Sequence, residues 1–168
     1  MTAVKRCVVV CCFLYVFLSL AVPEMFFIEL RDARAQEIIN RVHQKVPGNK
    51  KVVTFYEDWS LLAFLFYAGV AYSDGKVVLS PRFLHNDYLD VIVAHELGHI
   101  YLDNFRVETQ KSELDAMFFA ASICGTERVI NFVRGIDYRY EEEVVQELRA
   151  REKLQAGEKV ETTRAQPK

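Results

Sequence analysis

The run VIVAHELGHIYLDNF, residues 91–105, is apolar almost throughout, apart from two histidines four positions apart, a glutamate beside the first, and a polar exit at Asp103-Asn104. Tyr88, Val91, Ile92, His95, His99 and Leu102 recur with helical spacing, and Ala94, Leu97, Gly98 and Ile100 allow burial of the remaining faces. A chain carrying such a helix has to wrap other elements around it. The polar trio must then be explained, because two imidazoles and a carboxylate buried with no ion or partner are costly. Residues four apart share a helix face, about 6 Å along the axis, so His95 and His99 can turn their rings onto one ion. Glu96 is offset by one position and reaches only the edge of that site. That is the physical content of an H-E-x-x-H spelling: zinc lowers the pKa of a coordinated water to roughly 7, and a carboxylate beside it can take the proton. Asn86 or Asp87 is placed to cap the helix.

A metal site of this kind needs a third protein ligand. Asp103 lies eight residues beyond His95, about 12 Å of helical rise, too far for ligand bonds near 2 Å. It suits instead an acceptor for a ring N–H, or a solvated helix end. Glu108 sits in the irregular polar stretch NFRVETQK. Glu113 is the strongest candidate. It opens the helical segment SELDAMFFAASI, supported by Leu114, Met117, Phe118, Ala121 and Cys124, and a loop after His99 lets that helix fold back antiparallel. Asp115 competes less well.

Composition narrows the class. With 168 residues, 51% hydrophobic and 26% charged, the chain suits one globular domain with a real core. The formal charge is -2, from 21 basic and 23 acidic residues, with no basic stripe that would track a nucleic-acid backbone. Cys7, Cys11 and Cys12 lie in the first dozen residues and Cys124 is alone in the body, so no disulfide framework is encoded. Residues 1–24 differ from the rest: Lys5 and Arg6 precede an uncharged apolar run from Cys7 to Val22, with Ser19 and Ala21 placed as at a cleavage site. This predicts a signal peptide or signal-anchor, hence a secreted, periplasmic or membrane-anchored protein with membrane association through residues 7–22. A buried helix or strand is the alternative for the segment, and a true start at Met25 would make the protein cytoplasmic.

The remainder divides into short elements. A helical repeat runs through Ile28, Leu30, Ala35, Ile38, Ile39, Val42 and Val46 and stops at Pro47-Gly48-Asn49. Residues 52–56, VVTFY, predict a strand. Residues 59–72 predict a turn of helix around Ser60 to Phe64, then a strand from Tyr67 to Tyr72. Ser73-Asp74-Gly75 turns the chain into a strand at Lys76 to Leu79, ended by Pro81. That strand is expected at the sheet edge, beside the histidine helix, where an extended peptide could pair with it. Thr126 is placed to cap a helix over 126–135, another spans 138–155, and 157–168 is expected to be a disordered tail.

HELGH followed by E-x-x-A-x-x-F-A, carried here by Glu113, Ala116, Phe119 and Ala120, resembles the gluzincin metallopeptidases, specifically the HtpX-type and ImmA/IrrE-type families. The resemblance implies an α+β, zincin-like minimal domain over residues 25–156, with a small antiparallel or mixed sheet and helices covering the H-E-x-x-H helix. It implies His95, His99 and Glu113 as ligands of Zn2+, Glu96 as catalytic base, and a peptide or protein substrate. The chain departs at Met117, where those families carry Asp or Asn beside the first histidine. A metal-binding regulatory or interaction domain of weak or no activity is the alternative class. Tyr101, Tyr138, Tyr140 and His85 are candidate donors to an oxyanion.

Overall fold

A computed structural model describes residues 15–18, 22–48, 50–65, 67–105, 109–136, 138 and 140–164, except for the side chains of 23, 61, 64 and 155–164. Most of the segment expected to be a signal or anchor lies outside these residues. Within them no helix is long and apolar enough to cross a membrane.

A 3₁₀ turn at Pro23–Phe26 leads into β1 (Phe27–Glu29), then α1 (Ala33–Lys45), β2 (Thr54–Asp58), the short α2 (Leu61–Leu65), β3 (Gly69–Ala71) and β4 (Lys76–Leu79). Four longer helices follow: α3 (Leu89–Leu102), α4 (Gln110–Cys124), α5 (Thr126–Gly135) and α6 (Glu141–Arg164). Among the described residues the architecture is α+β, with these helices and a mixed four-stranded sheet in the order β1-β2-β4-β3.

Two expectations are corrected here. The helical repeat read from Ile28 begins only at Ala33: Asp32 caps it by accepting from the Ala35 N–H at 2.7 Å, and residues 27–29 pair antiparallel with β2 instead. The strand Lys76–Leu79 is not the sheet edge. It lies between β2, to which it is parallel, and β3, to which it is antiparallel. Its Val77-Val78-Leu79 run is fully buried, as a strand covered on both faces requires. The free edge beside α3 is β3.

The core gathers on α3. Leu89, Val91, Ile92, Val93, Ala94, Leu97 and Ile100 are all buried, against α4 on one side and α1 and β3 on others. Neither Asn86 nor Asp87 caps it. The helix begins after Tyr88 without a side-chain cap, and the Asn86 side chain accepts from the Tyr88 N–H at 2.8 Å. Thr126 is likewise the first residue of α5 and not its cap, a place held by Gly125. The backbone of α6 is helical to Arg164, across most of the segment from 157 for which a disordered tail is expected.

Gly98 sets the α3–α4 distance. A Cβ built there would lie 3.0 Å from Ala116 Cα, 3.1 Å from its carbonyl oxygen and 3.2 Å from Phe119 Cβ. Backbone cannot yield as a side chain can, so Gly98→Ala must push the two helices apart. Thermal denaturation is expected to show a loss of about 1–3 kcal/mol, the usual cost of overpacking. An unchanged midpoint would show that the helices can separate freely.

Candidate metal centre

Two adjacent helices supply all the candidate ligands. On α3 the rings of His95 and His99 stand nearly perpendicular, 4.7 Å between centroids, with their Nε2 atoms 3.2 Å apart. α4 folds back across them. Thr109 caps it, its side chain accepting from the Ser112 N–H while the Ser112 hydroxyl accepts from the Thr109 N–H. That reciprocal cap fixes the first turn, from which Glu113 points inward: Oε2 lies 3.3 Å from His95 Nε2, and Oε1 lies 3.4 Å from His99 Nε2. Ligand atoms of all three side chains fall within 4.8 Å of one another, and the group could hold a metal ion.

The other proposed third ligands fall elsewhere. Asp103 is exposed and ends α3 in the left-handed conformation, φ 53°, as the solvated helix end. Asp115 pairs with Lys111 one turn away along α4. Glu108 lies outside the described residues.

The turn at Asp103 has a second effect. It carries Asn104 back under the helix, where Asn104 Oδ1 lies 2.8 Å from His99 Nδ1 and its Nδ2 donates to the Ser112 carbonyl. With the amide held by Ser112, Oδ1 accepts from Nδ1–H, and the lone pair of Nε2 is left facing the site. Sequence reading missed this residue, because its neighbour Asp103 is the better acceptor on paper and only the left-handed turn reverses the choice. Asn104→Ala is expected to weaken metal binding about 10- to 100-fold, as loss of such a partner typically does. Competition titration against a chelating dye measures this, and an unchanged affinity would refute the role.

His95 has no such partner. Its Nδ1 is buried and makes no hydrogen bond among the described residues. Met117 is buried, lines a cavity with His95, and brings no carboxylate or amide to it.

Glu96 occupies a different wall. It is buried against β3: a Cβ on Gly69 would lie 2.9 Å from Glu96 Cγ. Only glycine leaves room for that side chain. Burial, aided by the charge of Glu113 and opposed by His95 and the Ala71 N–H, pushes the Glu96 pKa up to about 7. Burial also opposes the charge on Glu113, but His95, His99 and the Tyr138 hydroxyl outweigh it and hold that carboxyl below its usual value. For His95, burial disfavours the cation while Glu113 and Glu96 more than compensate and raise its pKa.

Of the four candidate donors, Tyr138 reaches the centre, its hydroxyl donating to Glu113 Oε2 at 3.1 Å. Burial and the nearby Glu113 raise its pKa, so it stays a neutral donor. Tyr101 is engaged with His43 and the Lys51 N–H, and His85 lies exposed near Asp32. Tyr140 packs edge-on against Tyr138, centroids 6.1 Å apart.

A cleft of about 430 Å³ opens over these groups, walled by Tyr67 and β3 on one side and by Asn104, Phe105 and Ser112 on the other. A neighbouring cavity of about 270 Å³ continues past His95 and Glu96 to Ile92, Met117, Phe132, Ile136 and Tyr138. Comparison with protein-family models, with curated proteins and with solved structures gives no match to this chain.

Proposed function

We propose that the protein is a zinc-dependent peptidase, with His95, His99 and Glu113 holding the metal and Glu96 acting as general base. One observation carries this reading. The two imidazole Nε2 atoms lie 3.2 Å apart, and Glu113 turns one carboxylate oxygen to each, Oε2 at 3.3 Å from His95 and Oε1 at 3.4 Å from His99. One atom from each side chain thus lies within 4.8 Å of the others, where a tetrahedral ion bonded at roughly 2.0–2.1 Å draws its ligands to about 3.3–3.4 Å. The donor set of two imidazoles and a carboxylate, leaving a fourth position open, is that of a catalytic zinc site. Zinc held there would supply a Lewis acid and a water nucleophile usable at neutral pH.

The chain's own groups would do the rest. Glu96, poised near neutrality, takes a proton from the attacking water and returns it to the leaving amine. Tyr138 donates to the developing oxyanion. The substrate adds to β3: Tyr72 N–H donates to Lys76 and Ser80 N–H to Ala68, so antiparallel alternation turns the backbone groups of Gly69 and Ala71 toward Glu96 and the cleft. The neighbouring cavity, walled by Ile92, Met117, Phe132 and Ile136, suits an apolar side chain next to the scissile bond.

The second reading, a metal-binding regulatory domain of little activity, is favoured by the His95 Nδ1, which has no hydrogen-bond partner among the described residues, and by Met117 where the resemblance expects Asp or Asn. Elemental analysis and an unbiased peptide library read by mass spectrometry separate the two. The purified chain is expected to carry about one zinc, held by three protein ligands, and to cut the library beside apolar residues. A folded chain holding less than about a tenth of an equivalent after zinc supplementation, far below a closed site's stoichiometry, would end both. Full zinc without cleavage would favour the regulatory reading.

A further inference from the structure

Between β2 and β3 the chain makes an excursion, WSLLAFLF, with no charge in eight residues. Its ends are pinned. Asp58, fully buried, accepts from the Ser60 N–H at 2.7 Å and from the Tyr67 hydroxyl, so the two ends of the excursion are clasped, with Ser60 and Ala63 buried and Trp59 and Leu65 exposed between them. The N-terminal segment joins the same place. Tyr15 donates its hydroxyl to the Trp59 carbonyl at 2.7 Å and sets its ring edge-on to Phe26, and the Trp59 N–H donates to the Phe26 carbonyl.

The outcome is a concentration of exposed apolar surface. Tyr15, Val16, Phe17, Val22, Met25, Ile28, Trp59 and Leu65 are eight of the eleven large apolar side chains exposed among the described residues, the others being Val52, Leu102 and Leu154. Phe17, Met25 and Leu65 are 67%, 66% and 59% exposed. A patch gathered in this way marks a binding surface, whereas scattered apolar residues do not.

We infer that this face docks onto a lipid bilayer. The chain that leads into it names the occupant: residues 7–14 are as apolar as the face they precede, behind Lys5 and Arg6. The run from Cys7 to Val22 falls short of the roughly 20 residues a spanning helix needs, and stable membrane attachment takes two weak signals acting together. The body's apolar face is the second signal. Trp59 and Tyr15 on it are the residue types that settle at a bilayer interface. Glu24 stands exposed beside the patch, and the Trp59 indole N–H donates to Glu57, so apolar contact and not anionic lipid drives the docking. Tyr67 and Gly69, which wall the metal cleft, follow immediately, which puts the cleft at the membrane surface. The inference stands on this face alone and is independent of any metal.

Trp59 is the chain's single tryptophan and reports directly. With full-length protein and phosphatidylcholine vesicles, flotation with the vesicles is expected, together with a blue shift of Trp59 emission and quenching by acyl-brominated phosphatidylcholine. Leu65→Glu should lower vesicle partition roughly tenfold and reduce that quenching, while Leu65→Met, which keeps the apolar bulk, should partition as wild type with the same circular dichroism. Failure to float would overturn the proposal. So would flotation without quenching, since residues 7–22 would then bind while the body stays clear. A concentration-dependent blue shift without lipid would assign the face to a second copy of the chain instead, and equal partition of Leu65→Glu and wild type would remove the body from the contact.

Discussion

Replacing Glu96 by glutamine is expected to leave the zinc content unchanged while lowering peptide hydrolysis by roughly two to four orders of magnitude, the usual worth of general acid–base catalysis. The geometry separates the two functions. The group that could hold a metal ion is His95, His99 and Glu113, whereas Glu96 lies against Gly69 on another wall of the cleft. Glutamine keeps the size that fits beside Gly69, but it cannot take up a proton. His99→Ala should instead lose metal, stability and activity together, because metal-binding energy is coupled to folding. Comparing zinc per chain and initial rates for the two variants is the measurement. Equal rates for Glu96→Gln and wild type would show that the base is elsewhere.

The same carboxyl should dominate how the metal-stripped chain responds to pH. Its pKa is about 7 when folded against an ordinary value of 4.5, so between those values the folded chain binds more protons than the unfolded one. Stability therefore falls as pH rises through this window, and the cost is fully present above pH 7, on the order of 3 kcal/mol. His95, with its raised pKa, acts in the same direction, since the stability it contributes when charged is lost as pH rises through its folded pKa. Glu113 is lowered and works the other way, but only as pH falls below its unfolded value, outside this window. Chelator-treated Glu96→Gln should thus be more stable than chelator-treated wild type at pH 8, with the gap closing near pH 4.5. Urea titrations at both pH values test this, and a gap that does not change with pH would refute it.

The convergence of His95, His99 and Glu113 into a group that could hold a metal ion was legible because its rules are local. A four-residue helical spacing and a carboxylate in the first turn of the next helix can be read without knowing the sheet. The hairpin of β3 and β4 was legible for the same reason. What escaped depends on pairing between distant segments. Lys76–Leu79 reads as an edge strand beside the histidine helix when only its hairpin partner is visible, and its parallel pairing with β2 puts it in the middle. Ile28 continues the helical repeat on paper, yet residues 27–29 are claimed by β2. Asn104 was invisible because a single left-handed residue decides whether it or Asp103 meets His99.

The helical hairpin that brings His95, His99 and Glu113 together also bears on the order in which the chain folds. His95, His99 and Glu113 span nineteen residues of sequence, whereas β2 cannot join β4 until the intervening excursion and hairpin have been laid down. Contacts close in sequence form ahead of distant ones, because less loop entropy is lost in making them. The β3–β4 hairpin, whose partners lie six to ten residues apart, and the α3–α4 pair, closed at Gly98 against Ala116, are therefore the local units that form ahead of the β2–β4 pairing. Amide hydrogens of α3 and α4 should exchange last in the native protein, and those of β3 well before them.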